Sequence, residues 1–141
     1  MISSNRKICY TTYMKLSANM EDYVEAVLFC ANEQGLARVS DIRDLLGVKT
    51  PSVTGAMKLL AENGYVMHQP YGGIKLTSKG LRAAEDVKKR HAILSRFLTQ
   101  VLGVTPKTAD MDACKMEHAV SKETLEKLHT YLQKKAGGNA D

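Results

Sequence analysis

Asp41-Ile42-Arg43-Asp44-Leu45-Leu46-Gly47-Val48-Lys49-Thr50-Pro51-Ser52-Val53-Thr54-Gly55 is the stretch that decides the fold. Ser40 or Asp41 can cap a helix carrying Ile42, Leu45 and Leu46. Gly47-Val48 makes a tight turn, and Thr50 before Pro51 reads as the N-cap and first residue of a second helix. That helix runs to about Asn63, with Val53, Met57 and Leu60 at core spacing. Two helices joined by a short glycine-containing turn are a helix-turn-helix. Just downstream, Tyr65-Val66-Met67-His68 and Ile74-Lys75-Leu76 read as two short strands around Pro70-Tyr71-Gly72-Gly73, whose glycines supply positive φ. A helix-turn-helix followed by a hairpin predicts a winged helix.

Upstream, Met20 to Gln34 reads as a helix with Val24, Val27, Leu28 and Ala31 on its core stripe and Gly35 as its stop. Ala37-Arg38-Val39 is a short extended piece. Downstream, Thr77 or Ser78 caps a long helix to about Leu102, with the stripe Val87, His91, Leu94 and Leu98. Asp110 to Val120 is a short helix, and Lys122 to Gln133 is the last, with Leu125, Leu128 and Leu132 on one face. The chain is therefore mainly α. We expect an extension over 1–17 without order, a winged helix-turn-helix lobe over 18–78, a helical lobe over 79–133 and a patternless tail over 134–141.

The chain has 141 residues, ordinary hydrophobic content at 44% and 25% charged residues, as one domain or two small lobes would. Charge interrupts every long apolar stretch, so no membrane span is expected, and residues 1–15 lack the apolar core of a signal peptide. Cys9, Cys30 and Cys114 are odd in number and form no CxxC, which argues against a disulfide framework or zinc knuckle and fits the cytoplasm. A net charge of +5 permits nucleic-acid binding without establishing it.

Recognition helices read the major groove through their N-terminal residues. Here Lys49, Thr50 and Pro51 lead onto the outward positions Ser52, Thr54, Gly55 and Lys58. Short hydroxyls and lysine suit phosphate and base-edge contacts. Gly55 costs a helix interior about 1 kcal/mol against alanine, so it marks either a close approach to DNA or simple drift. On the wing, Tyr71 and Lys75 offer phosphate contacts.

The second chemical signal is Asp112-Ala113-Cys114-Lys115-Met116-Glu117-His118. On a helix, Cys114, Glu117 and His118 stand at i, i+3 and i+4, so a thiol, a carboxylate and an imidazole converge within about 6 Å. Asp22 and Glu25 form an i, i+3 pair on the first helix, with Ala26 and Phe29 beside them; a solvated face is the plain reading, yet an aromatic there suggests packing. His91 takes a slot in an apolar stripe, where a histidine is more often core than ligand unless other ligands lie near. Together Asp22, Glu25, His91, Cys114, Glu117 and His118 offer mixed oxygen, nitrogen and sulfur donors suited to Mn(II), Fe(II), Co(II) or Zn(II). His68 reads as a wing residue and His129 as surface.

Five stretches spread over Met20 to Gln133 carry a resemblance: Met20-Glu21-Asp22-Tyr23-Val24-Glu25, Ala37-Arg38-Val39-Ser40-Asp41-Ile42, Pro51-Ser52-Val53-Thr54, Leu76-Thr77-Ser78-Lys79-Gly80 and the 112–118 run. Together they resemble the diphtheria-toxin-repressor family of metal-dependent transcriptional regulators, in the short form that includes manganese-transport regulators. The resemblance implies a homodimer that binds a double-stranded DNA operator, with the six donors above in metal-ligand slots. At Asp22 and Glu25 the chain is similar to the manganese type, at Cys114 to the iron type. The expected cofactor is therefore Mn(II) or Fe(II), with Co(II) and Zn(II) as substitutes in vitro. No catalytic residue is expected. A metalloenzyme would need a cleft and a general base that the sequence does not suggest. A winged-helix regulator answering an oxidant through Cys114, or a small organic ligand, is the alternative.

Overall fold

The protein is seen in a computed structural model that describes residues 16–70 and 72–138. The expected 1–15 portion of the extension, Cys9, Tyr71 and residues 139–141 lie outside the described residues. Residues group into two compact units that divide between Ala84 and Glu85.

The first unit opens with α1 (Ala18–Cys30), started by Ser17, whose Oγ accepts the Met20 amide at 3.2 Å. The helix stops at Ala31, ahead of the Gln34 end expected from the sequence. The cause is Asn32, whose Oδ1 accepts the amides of Gln34 at 2.9 Å and Leu36 at 3.0 Å, an Asx turn that diverts the chain before Gly35. Then come β1 (Leu36–Ala37), α2 (Val39–Leu46) and α3 (Thr50–Glu62). Gly47 stands between the two helices at φ +66°, the left-handed value a tight helix exit requires.

Two expectations shift by a residue or more. Arg38, not Ser40 or Asp41, is the N-cap of α2, and no side chain caps it. Thr50 is the first residue of α3 and Lys49 its N-cap. Leu45 is also not core but 47% exposed, because the short α2 presents only Ile42 fully inward. The α3 stripe is as expected: Val53, Met57 and Leu60 are buried, joined by Ala56.

Strands β2 (Val66–His68) and β3 (Ile74–Leu76) form the wing hairpin, and β1 adds to the free edge of β3, giving an antiparallel sheet of order β1-β3-β2. Ala37 pairs with Ile74 and Met67 with Lys75. A knot of contacts ties the wing to the next helix. Thr77 Oγ1 reaches Gly64 O at 2.6 Å and accepts the Gly80 amide at 3.1 Å, while Lys79 donates to Asn63 O at 2.9 Å and stands over the Tyr65 ring. Gly80 fits there because it has no side chain: a Cβ would stand 2.0 Å from Tyr65 O. Burial raises the Tyr65 phenol above its ordinary pKa, and Glu21 adds to the shift.

α4 (Ser78–Arg96) carries the chain across the boundary between the units and ends in a π-helical turn, Phe97–Val101. The second unit continues with α5 (Pro106–Met116) and α6 (Lys122–Gly138). α5 starts a turn earlier than the Asp110 start read from sequence, since Thr105-Pro106 begins it, and it ends before Val120. α6 likewise outruns Gln133, so residues 134–138 are helical rather than patternless. Lys134, Lys135 and Ala136 are good helix formers, and Lys135 Nζ reaches Gln100 O at 3.4 Å. The core of this unit is Ile93, Leu94, Ala113, Leu125 and Leu132.

Candidate metal centre and nucleic-acid interface

In the second unit the repeat of α5 sets the site. Asp110, Cys114 and Glu117 recur at intervals of four and three residues, one turn apart, so their side chains share a face. Ala113 on the same stripe is fully buried and Glu117 with it, while Asp110 and Cys114 are exposed, so the face runs from the core to the surface. Glu117 is the C-cap of α5 and keeps helical dihedrals, φ −61° and ψ −23°. His118 falls just past the helix, in a turn where the Ala119 and Val120 amides both bond Met116 O. The expected single helical run of Cys114, Glu117 and His118 thus ends at Glu117, yet His118 still stands 3.9 Å from the Glu117 carboxylate through Nε2.

His91 comes from α4. Its Nδ1 lies 3.4 Å from Glu117 Oε2 and 3.8 Å from Cys114 Sγ, and its Nε2 lies 2.7 Å from Asp110 Oδ1. Arg90 beside it donates to the Glu117 backbone carbonyl at 2.6 Å and pairs with Asp86 at 3.1 Å. Four of the expected donors, His91, Cys114, Glu117 and His118, are therefore brought together. Asp110 joins them and was not among the sequence candidates. One signal was available: it stands at i−4 from Cys114, the same spacing used to group Cys114 with His118.

Among the described residues Glu117 is the one charged side chain in the buried class, with 1% of it exposed. Burying a carboxylate is costly unless positive charge and hydrogen bonds compensate it. Two imidazoles and a thiol around it are donors that bind a cation as neutral nitrogen and thiolate sulfur. His91, Asp110 and Cys114 can each offer one donor atom with all three atoms within 4.8 Å of one another. The residues present fit a divalent first-row metal.

In the first unit Asp22 and Glu25 are half-buried on α1, one turn apart. Ala26 beside them is buried, but Phe29 is 76% exposed, so the aromatic does not pack as its place on the helix suggested.

The face of α3 expected to read DNA is built differently. Lys49, Thr50, Pro51, Ser52, Thr54, Gly55 and Lys58 are all exposed, opposite the buried stripe, and Lys75 is exposed on β3. Arg43 donates to Thr50 Oγ1 at 3.3 Å. Thr54 Oγ1 donates back to the helix backbone at Thr50 O and Pro51 O, which turns its hydroxyl hydrogen away from solvent. A surface hollow of about 440 Å³ runs between the starts of α1 and α3, lined by Asn19, Met20, Tyr23, Pro51, Ser52 and Gly55 among others.

Comparison with known proteins places both halves. Residues 15–74 match the N-terminal DNA-binding domain of iron-dependent repressors, and residues 77–136 match the metal-binding and dimerisation domain of the same repressors. A helix-turn-helix-type transcriptional regulator of Methanocaldococcus jannaschii is 38% identical over 120 residues, covering 84% of this chain and 96% of that protein. The transcriptional regulator MntR of Escherichia coli is 41% identical over 115 residues, covering 82% of this chain and 74% of that one. A manganese-dependent transcriptional repressor solved in complex with manganese superposes with a TM-score of 0.72 at 30% identity, covering 81% of this chain. This chain spans about half the length of that solved protein, 52%.

Proposed function

Because this chain belongs to the iron-dependent repressor family of metal-dependent transcriptional regulators, we propose that it binds operator DNA as a homodimer when loaded with Mn(II) or Fe(II), and that it represses metal-homeostasis genes. Co(II) and Zn(II) serve as substitutes in vitro. Its place of work is the cytoplasm, where Cys114 stays reduced; among the described residues no helix is long and apolar enough to cross a membrane. One observation carries the reading above the rest: the buried Glu117 carboxylate flanked by His91, Cys114 and His118.

In this proposal Asp22 and Glu25 complete the ligand set begun by His91, Cys114, Glu117 and His118. The bound cation supplies positive charge that neutralises these carboxylates and ties the segments that carry them. The protein's residues do the rest. Cys114 gives up its thiol proton to ligate, and the imidazoles ligate in their neutral form. α3 presents Ser52, Thr54, Gly55 and Lys58 to base edges and methyls, with Lys49, Thr50 and Pro51 at its start and Tyr71 and Lys75 on the wing as backbone contacts. Metal binding need favour the DNA-competent arrangement by only about 1–3 kcal/mol to act as a switch.

The test is operator binding at fixed free Mn(II), Fe(II), Co(II) and Zn(II). Binding should rise with metal and vanish with chelator, and Glu117→Ala or His118→Ala should remove the metal response while leaving a folded protein. Equal DNA affinity with chelator present overturns the proposal. A response to peroxide with indifference to metal would make Cys114 an oxidant sensor instead, the second reading that an exposed cysteine outside any disulfide allows.

A further inference from the structure

We propose that Asp110 is a positioning residue of the metal site: it accepts the Nε2–H of His91 and thereby aims the Nδ1 lone pair at the ion held by Cys114 and Glu117. The inference rests on the metal-site reading above and adds to it a residue and an atom.

Distances separate the two sides of the His91 ring. Donors about 2.1–2.3 Å from one ion stand about 3.0–3.8 Å apart along the edges of an octahedron or tetrahedron. His91 Nδ1 lies 3.4 Å from Glu117 Oε2 and 3.8 Å from Cys114 Sγ, both edge-like separations. His91 Nε2 lies 2.7 Å from Asp110 Oδ1, too short for an edge and typical of an N–H donating to a carboxylate. The two nitrogens of one imidazole point away from each other, so an ion on the Nδ1 side leaves Nε2–H for Asp110. Glu117 holds the buried end, with 1% of its side chain exposed, while Cys114 and Asp110 are both exposed, the latter at 67%, so distance rather than burial tells ligand from positioning residue. The ion's place is the Nδ1 side of the ring, and Asp110 stands on the other.

A carboxylate on the far nitrogen of a metal-bound histidine fixes its tautomer and ring orientation and makes the ligating nitrogen more basic; its loss typically costs 10–100-fold in metal affinity. Asp110 sits on α5 one turn before Cys114, so the same helix that supplies the thiol also holds the imidazole coming from α4.

Co(II) titration and cadmium NMR test this on the full chain. Wild-type protein should show a thiolate-to-cobalt charge-transfer band, and spin coupling between NMR-active cadmium and isotope-labelled histidine should fall on Nδ1 of His91. Asp110→Ala should weaken Co(II) binding about 10–100-fold with an unchanged visible spectrum, and Asp110→Asn, which keeps an acceptor oxygen, should recover part of the loss. Circular dichroism of the metal-free variants should match wild type, as expected for an exposed residue. A changed cobalt spectrum in Asp110→Ala would make Asp110 a ligand itself and overturn the inference. So would unaltered affinity, or cadmium coupling to Nε2. If wild type lacks the thiolate band and the histidine coupling altogether, the metal-site reading falls and this inference with it, a result distinct from the other three.

Discussion

The residues assigned to DNA and the carboxylate at the centre of the candidate metal site lie on opposite sides of the water boundary. In the first unit, the core is apolar throughout, and the residues assigned to DNA stand outside it on α3 and the wing. In the second, the candidate site enters the core: Glu117 is among the largest fully buried side chains of the protein. A reading surface meets a partner whose charge is already in place, so its side chains stay solvated until contact. A sensing site must hold charge where water does not screen it, because only there does one cation shift a conformational equilibrium appreciably. Stability and function should therefore be separable on the DNA-facing side of the first unit and entangled around Glu117 in the second.

The largest effect tests the first half of that claim at a residue with no assigned role in DNA or metal. Gly80→Ala puts a Cβ against the Tyr65 carbonyl, a backbone atom that cannot swing away. We expect a loss at the upper end for overpacking, about 3 kcal/mol, in urea unfolding. The wing and the start of α4 should loosen together, since Thr77 and Lys79 bond the same turn. A loss below about 0.5 kcal/mol would show that this junction does not anchor the wing.

Next is the entangled half. A cation at one hundred times its Kd stabilises the folded protein by about 2.7 kcal/mol. Wild type should show that gain in thermal unfolding with Mn(II) or Co(II), and Glu117→Ala should lose nearly all of it. Ser52→Ala on the reading face should keep the full gain and lose operator affinity alone. If Ser52→Ala and Glu117→Ala behave alike, the contrast between the units fails.

Smaller again is the electrostatic share of the reading face. Lys49→Ala and Lys58→Ala remove exposed charges, so unfolding free energy should move by less than about 0.5 kcal/mol. Each phosphate contact contributes about 0.9 to the slope of log affinity against log salt, so one variant, counted twice in a homodimer, should lower that slope by about 1.8. Affinity should fall to a similar degree for operator and unrelated DNA. A fall confined to operator would move that lysine from phosphate to base edge.

The contrast also explains what the sequence made legible. Periodicity located α3 and its stripe Val53, Met57 and Leu60, because an apolar core repeats with the helix. It located Cys114 and Glu117 on one face for the same reason. It missed where helices end when the deciding contact is polar and local: Asn32 closes α1, whereas Gly35 is the more conspicuous residue. Thr105-Pro106 carries the same start signal as Thr50-Pro51, and the turn it starts is already the first of α5, which therefore begins ahead of Asp110. Asp110 escaped for a related reason. It stands at the boundary set for the short helix, and it is the approach of His91 from another helix that brings it to the site. Leu45 was misread because periodicity assigns a face without saying how wide the buried strip is on a helix as short as α2.

Gly55 gives the smallest expected effect on DNA affinity and the sharpest division between stability and function. It stands mid-helix on α3, where glycine costs about 0.5–1 kcal/mol against alanine. Packing does not account for it: a Cβ there would meet no atom within 4 Å, unlike the one at Gly80. Gly55→Ala should therefore stabilise the protein by about 0.5–1 kcal/mol in urea unfolding. The added methyl would project from the reading face, on the same stripe as Ser52 and beside the hollow that both residues line. If DNA approaches that stripe closely, operator affinity falls several-fold while the protein grows more stable, opposite signs from one methyl group. We expect that outcome, because Ser52 and Thr54 beside Gly55 carry short side chains, and the Thr54 hydroxyl hydrogen is already committed to the helix backbone. Such a surface works by close approach rather than by reach. Unchanged affinity with the same gain in stability would leave Gly55 as drift, and would move the closest DNA contact to the start of the helix at Lys49, Thr50 and Pro51.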